Sequence, residues 1–156
     1  MRLLTAEDFV IDDELHTSLL RHAGGAAARA VATLGGPLSV ENLGRFLVLP
    51  DCLKHRTQIV YDAAALEPHQ FAQPVFSGTA ANREFLLYVH PHYESKPDCL
   101  PYIVAYMAAA INYGSAVTLD LCEEFGAALM DMPRKDFYAA VCHVADELPL
   151  DLLLSK

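Results

Sequence analysis

A run of 21 consecutive residues without a charged side chain, from Cys99 to Leu119, constrains the fold of this chain more than any other feature. Asp98 precedes the run and Asp120 follows it. Residues 99–113 place apolar side chains on nearly every side of a helix, which is typical of a helix that is buried on nearly every side. We therefore expect a buried central helix near residues 98–113, with the rest of the chain packed around it.

The same run is long enough to span a membrane, so that alternative has to be weighed. Pro101, Asn112 and Gly114 interrupt it, and acidic residues bracket it. A cytoplasmic membrane flank favours Lys and Arg instead. The sequence therefore predicts that the run is buried in protein and that the chain has no membrane partner.

The composition is more apolar than that of most globular domains. Apolar residues make up 53% of the 156 residues and charged residues 20%, whereas about 25% charged is usual. An apolar surface of this size is commonly covered by another subunit, so we expect a homo-oligomer, with a dimer favoured. The length predicts one globular domain over residues 1–156, large enough to need neither disulfide nor metal for its core.

The charge balance argues against nucleic acid as a partner. The chain has 20 acidic residues against 11 basic ones, a net charge of −9, which phosphate backbones repel. Its four cysteines lie far apart and form no Cys-x-x-Cys pair. The N-terminal residues turn acidic before an apolar signal core can build, so we expect a cytoplasmic protein.

The N-terminal third predicts a helix that begins at Asp12 or Asp13 and ends before Gly35. Gly24 and Gly25 fall within it, so either the helix bends there or two helices form. We expect these glycines to allow close approach of another helix, within the chain or across a subunit interface.

The middle of the chain predicts strands. Residues 45–49 and 56–62 are rich in Val, Ile, Phe and Tyr, and their six-residue linker favours an antiparallel hairpin. Residues 63–83 are predicted to be mostly loop, with a short edge strand near 73–77. Residues 83–92 form the clearest strand, with Phe85, Leu87 and Val89 on one face.

The C-terminal half predicts helices. We expect Asp98 to cap the central helix and Gly114 to end it, Thr118 to cap the next helix, and Pro133 to open the last one. The leucine-rich tail, residues 151–156, is expected to dock on the body or on a partner. The whole is an α+β domain, a small antiparallel sheet of three to four strands packed with four or five helices.

Two histidines at the end of the clearest strand suggest a metal site. His90 and His92 are two residues apart, so in an extended chain both imidazoles point the same way. Cys52 and His55, in the predicted hairpin linker, would complete a zinc site if the linker folds against this strand end, and Glu94 would then be a candidate base. The alternative is a pair of partly exposed histidines bonded to carbonyl groups or water.

Tyrosines near the predicted core suggest a ligand pocket. Tyr102 and Tyr106 lie one helical turn apart, and with Tyr88 they would line a cleft whose hydroxyl groups need partners. Residues 112–115, at the end of the central helix, are a second place for a ligand, although the end of a helix followed by a turn is the simpler explanation for them. The chain has no nucleophile-elbow serine and no carboxylate pair with glycosidase spacing.

Three hypotheses for the function follow from these patterns. The first is a non-catalytic cytoplasmic module that self-associates and binds a protein partner through apolar surface. The second is a metal-binding protein or metal-dependent enzyme at His90 and His92, and the third is a small-ligand module with a tyrosine-lined pocket.

Overall fold

The computed structural model describes the backbone of residues 6–148 and the side chains of residues 14–148. Within that range it contains five α-helices and three β-strands. The helices are α1 (Ala6–Leu34), α2 (Leu43–Val48), α3 (Leu100–Tyr113), α4 (Leu119–Met130) and α5 (Arg134–Asp146), and the strands are β1 (Arg56–Tyr61), β2 (Ala72–Gly78) and β3 (Arg83–Val89). The predicted α+β class, with a small sheet packed against helices, is confirmed.

The three strands form a mixed sheet in the order β1-β3-β2. β2 and β3 are antiparallel and are joined by a turn over residues 79–82, whereas β1 pairs with β3 in parallel. Leu87 and Val89 of β3 are fully buried, while Leu86 and Tyr88 on the opposite face are only partly covered. One face of the sheet therefore packs into the core, as the alternation in β3 predicted.

Helix α3 is the buried centre of the molecule, as predicted. Seven of its 14 residues are buried, from Pro101 to Ile111, and all of them except Pro101 belong to the hydrophobic cluster that includes the sheet. A helix of this length spans about 21 Å, less than the roughly 30 Å of a bilayer core. In the described part of the chain, no helix combines the length and the apolar character that crossing a membrane requires.

The ends of α3 and α4 follow local chemistry. Pro101 lies in the first turn of α3, and Gly114 ends the helix with a φ of 54°, a conformation that favours glycine. The Thr118 side chain caps α4 by accepting a hydrogen bond of 3.2 Å from the Leu121 N–H. The prediction for Asp98 was wrong: it lies in a short 3₁₀ turn, and Cys99 precedes α3 without a side-chain cap.

Gly126 of α4 lies where three helices meet. A Cβ atom at this position would overlap the ring of Phe137 in α5 and would lie 3.2 Å from the carbonyl oxygen of Ala105 in α3. Since Phe137 is fully buried, its ring has little room to move. The absence of a side chain at Gly126 therefore permits the contact between these helices.

Tyr93 links the end of the sheet to α5. Its side chain is fully buried, and its hydroxyl donates a hydrogen bond of 2.6 Å to the carbonyl oxygen of Val144. A buried hydroxyl is costly without a partner, so this bond fixes α5 relative to the segment that follows β3.

Residues 45–49, predicted to form a strand, belong mostly to helix α2. The buried residues of α2 are Leu43, Phe46 and Leu47, which have the i, i+3, i+4 spacing of a helix face. Before the helix, the Ser39 N–H donates to Asn42 Oδ1 at 2.8 Å and the Asn42 N–H donates to Ser39 Oγ at 3.3 Å. These reciprocal bonds form a turn that leads the chain into a helix.

The predicted antiparallel hairpin is therefore wrong as well. Without a strand at 45–49, β1 pairs with β3, and Arg56 lies opposite Glu84. The antiparallel partner of β3 is β2, a seven-residue strand in a segment predicted to be mostly loop, although an edge strand was expected near 73–77. Pro74 is accommodated there because the edge strand β2 pairs on one side only.

Helix α1 continues through Gly24 and Gly25 as one element. A Cβ atom at Gly24 would meet no atom within 4 Å among the described residues, so no neighbouring segment of that range approaches closely there. Among residues 14–34 of α1, the fully buried ones are instead Ala23, Ala27 and Ala30. The tail 151–156 and its predicted docking lie outside the described residues.

Candidate functional site

A cleft of about 540 Å³ opens between α1, the linker that follows α2 and the end of α3. We call it the α1–α3 cleft. It is lined by His22, Ala26, Arg29, Pro50, Asp51, Cys52, Lys54, Asn112 and Tyr113. Its volume lies within the range of about 300–1,000 Å³ that is usual for small-molecule sites.

Helix α1 supplies one wall of the cleft. His22, Ala26 and Arg29 are separated by four and three residues, and this spacing puts them on one face of a helix. Residues 50–54 form the second wall, and the last two residues of α3 form the third. The C-terminal end of the buried helix α3 therefore forms part of a polar cleft.

Two hydrogen bonds connect these walls. Tyr113 Oη and His22 Nδ1 are 2.6 Å apart, and their rings meet edge to face with centroids separated by 5.6 Å. The Lys54 N–H donates to Asn112 Oδ1 at 2.9 Å. Each bond joins α3 to a different wall, so the three walls of the cleft are connected to one another.

The charged groups at the cleft are mostly basic. The lining contains the basic residues Arg29 and Lys54 and a single carboxylate, that of Asp51. Burial raises the pKa of the Tyr113 hydroxyl, and the positive charge of Arg29 acts in the opposite direction. The cleft thus combines hydrogen-bond donors with positive charge.

Cys52, one of the predicted metal ligands, lies at this cleft. It is buried, and its thiol donates a weak hydrogen bond of 3.9 Å to the Ala30 carbonyl oxygen. Burial raises the pKa of the thiol, and the negative charge of Asp51 raises it further. Both nucleophilic attack and metal binding use the thiolate, so the raised pKa disfavours both roles for Cys52.

The other predicted metal ligands lie along the sheet. His55 packs against Phe85 with ring centroids 5.6 Å apart. His90 and His92 are neighbours at 6.5 Å between centroids, but Nδ1 of His90 already accepts a 3.0 Å bond from the His92 backbone N–H. Among the residues that the structure describes, no group of three or more His, Cys, Asp and Glu side chains is arranged to hold a metal ion. The four predicted ligands therefore do not converge on one metal site.

The histidine pair nevertheless has one unusual atom. Nε2 of His92 is buried and has no hydrogen-bond partner within residues 14–148. Burial, followed by the proximity of His92, lowers the pKa of His90 and favours the neutral imidazole. Glu94, the predicted base, follows the short 3₁₀ turn over residues 91–93. Burial raises the pKa of Tyr61, and the negative charge of Glu94 raises it further. Metal binding by the histidine pair stays a prediction.

The three tyrosines predicted to line a pocket lie on different sides of the sheet. Tyr88 is on the face of β3 opposite Leu87 and Val89, away from the core. Tyr106 packs in the core between Phe71 and Phe137, with centroids 6.3 and 6.4 Å away, and burial raises its pKa to about 12. Tyr102 is partly buried against the same core. The structure does not join Tyr88 to this pair, and ligand binding by Tyr102 and Tyr106 stays a prediction.

Most residues of the α1–α3 cleft were not identified from the sequence. Residues 112–115 were considered for ligand binding, and Asn112 and Tyr113 do line the cleft. The signal for His22 and Arg29 was their helical spacing, which only becomes informative once their face is known to meet α3. Lys54 had no signal, because its position depends on the fold of the linker.

We compared the chain with protein-family models, with curated proteins and with solved structures, and none of them matches.

Proposed function

We propose that this protein binds a small molecule in the α1–α3 cleft. The observation that carries the proposal is the cleft itself, a concavity of about 540 Å³ whose walls are connected by side-chain hydrogen bonds. Ligand sites are typically preformed concavities with a small number of placed polar groups. A rigid wall lowers the entropic cost of ordering side chains around a ligand.

The cleft residues favour binding over covalent catalysis. Cys52, the cysteine among them, is buried with a raised pKa, and Asp51 is the one carboxylate of the lining. Nucleophilic catalysis needs a thiol or hydroxyl that is activated to its ionised form, whereas burial raises the pKa of the Tyr113 hydroxyl beside His22. Glycoside hydrolysis commonly needs two carboxylates, and the lining has one. We therefore propose a binding module, in agreement with the third sequence hypothesis but at a different place.

Filling the cleft tests this proposal. Ala26 is partly buried in the wall formed by α1, and Ala26→Phe would place a ring in the space for the ligand. We expect ligands found by a metabolite screen, read as a rise in melting temperature, to lose that effect in this variant. The control is Ala28→Phe, which puts the same ring on the exposed side of α1.

Circular dichroism and the melting temperature without ligand check that both variants fold. If Ala26→Phe fails that check, Asp51→Trp at the exposed rim blocks the same space. Ligands that stabilise the blocked variants as well as the unchanged protein would place binding elsewhere and contradict the proposal.

Self-association is a second candidate function, and one surface favours it. Phe76 on the edge strand β2 is 47% exposed and packs edge to face on Phe85 at 5.9 Å. Arg83 lies over the Phe76 ring at 5.3 Å, and with Ala80 these residues line a shallow groove. An exposed aromatic side chain on an edge strand is a common contact between copies of one chain.

We expect Phe76→Ser to lower the dimer fraction measured by size-exclusion chromatography with light scattering. Tyr138→Ser is the matched control, because Tyr138 is 51% exposed on α5, away from the sheet. A monodisperse monomer at every concentration of the unchanged protein would contradict self-association.

A further inference from the structure

We infer that the ligand of the α1–α3 cleft is a small organic anion that carries a phosphate or carboxylate group. This inference rests on the proposed function and specifies the chemistry that the site would recognise.

The charge at the cleft is opposite in sign to that of the chain. The chain carries 20 acidic and 11 basic residues, yet the lining contains two of the basic residues, Arg29 and Lys54, and one acidic residue, Asp51. A basic concavity on an acidic protein concentrates anions at that place, because the remaining surface repels them.

The two cations at the cleft are not neutralised within the described residues. No carboxylate of residues 14–148 lies within 4.0 Å of the Arg29 guanidinium or of Lys54 Nζ. Arg134, by contrast, lies among three carboxylates: it contacts Asp120, and it is 3.3 Å from Glu123 and 3.9 Å from Glu124. Within the described residues, the fold therefore pairs a half-buried arginine in one place and leaves the two cations at the cleft without an ion pair.

The neutral groups of the cleft are donors. Asn112 Oδ1 is already used by the Lys54 N–H, which leaves its amide nitrogen to donate. The His22–Tyr113 pair also retains a donor in either arrangement of its shared proton: Nε2–H of His22 when the tyrosine hydroxyl donates, or the hydroxyl when His22 donates. Phosphate and carboxylate oxygens are acceptors, so they complement this set.

The size of the cleft distinguishes an organic anion from a bare inorganic one. A cavity of about 540 Å³ holds more than a single phosphate group, and its lining includes Ala26, Pro50 and the rings of His22 and Tyr113. These surfaces would contact an apolar or sugar-like body while the cations hold the charged group.

Calorimetric titration with three probes tests the inference. Ribose 5-phosphate carries a phosphate ester, citrate carries carboxylates, and ribose is the neutral control. We expect at least one anion to bind and ribose not to bind, with a Kd that rises as salt is added because screening weakens the charge contacts.

Charge removal then assigns the site. Arg29→Gln and Lys54→Gln should each raise the Kd of the bound anion at least about tenfold, the usual scale for losing a charge-assisted hydrogen bond. Arg21→Gln on α1 and Lys135→Gln on α5 remove the same charge outside the cleft, and both residues are exposed. These controls should change the Kd by no more than about twofold.

Each outcome supports or overturns the inference. Binding of the phosphate ester alone assigns phosphate, and binding of citrate alone assigns carboxylate. Failure of both anions to bind, or equal affinity in the cleft variants and in their controls, overturns it. If a neutral ligand binds and Ala26→Phe abolishes that binding, the proposed function stands while the anionic class is wrong.

Discussion

Gly126 is the residue whose replacement should most directly affect the helical core. Alanine is the better helix former by about 1 kcal/mol, but its methyl group would overlap the Phe137 ring and press on the Ala105 carbonyl. Overpacking of a buried site costs about 1–3 kcal/mol. The difference between these two effects predicts that Gly126→Ala lowers the free energy of unfolding by up to about 2 kcal/mol, measured by urea denaturation.

Gly24→Ala is the matched control for Gly126→Ala. Gly24 lies inside α1, where a Cβ atom would meet no atom of the described residues within 4 Å. The helix-propensity gain then acts alone, so this variant should be more stable by up to about 1 kcal/mol. Destabilisation of the same size at both positions would show that the contact at Gly126 is not the cause.

Residue types alone did not show which aromatic side chains are buried. No sequence pattern singled out Tyr93 as a core residue, yet it is fully buried and its hydroxyl reaches the carbonyl of Val144, 51 residues away in sequence. Tyr88, on a good strand, faces away from the core. The partner of a buried hydroxyl is set by tertiary packing, which local sequence patterns do not contain.

Among the secondary-structure elements, long segments with clear helix-capping or helix-ending residues were predicted well. Helix α3 was defined by the uncharged run and Gly114, and α4 by Thr118. Segment 45–49 was assigned wrongly because a short apolar run fits a strand and a helix equally well. Its helical character depends on the turn formed by Ser39 and Asn42.

Strand pairing could not be predicted from the same patterns. The linker between 45–49 and 56–62 suggested a hairpin only while both segments were strands. Once α2 is helical, β1 has no sequential partner and joins β3 in parallel. The position of Lys54 in the α1–α3 cleft follows from this change, so no local sequence pattern indicated it.

For the molecule as a whole, the raised pKa values of two thiols and one tyrosine predict a lower free energy of unfolding at high pH. Burial raises the pKa of Cys99 and of Cys122 to about 11 each, and that of Tyr106 to about 12. In the unfolded chain a thiol ionises near 8.5 and a tyrosine near 10, roughly. As the pH rises, the unfolded chain therefore releases these protons before the folded protein does. The contribution of these groups to the free energy of unfolding is complete below a pH of about 8.5 for the thiols and about 10 for Tyr106, and it is lost as the pH rises towards 11 and 12.

Urea denaturation at a series of pH values between about 8 and about 11 measures this loss. We expect the midpoint to fall across that range, and to fall less in a Cys99→Ala/Cys122→Ala double variant, in which both thiols are absent. The comparison uses the slope with pH, since removing buried sulfur also lowers stability at every pH. An identical slope in the double variant would show that these thiols are not responsible.

The strand order has a consequence for how the molecule reaches its native state. The β2–β3 hairpin closes over the short turn between Gly78 and Arg83. Strand β1 pairs with residues 28 positions further along the chain, as Arg56 does with Glu84. Closing the longer loop costs more entropy, so the hairpin is expected to form early and β1 to be added late. Residues 50–54 lead directly into β1, and the wall they contribute is therefore among the last parts of the protein to be assembled.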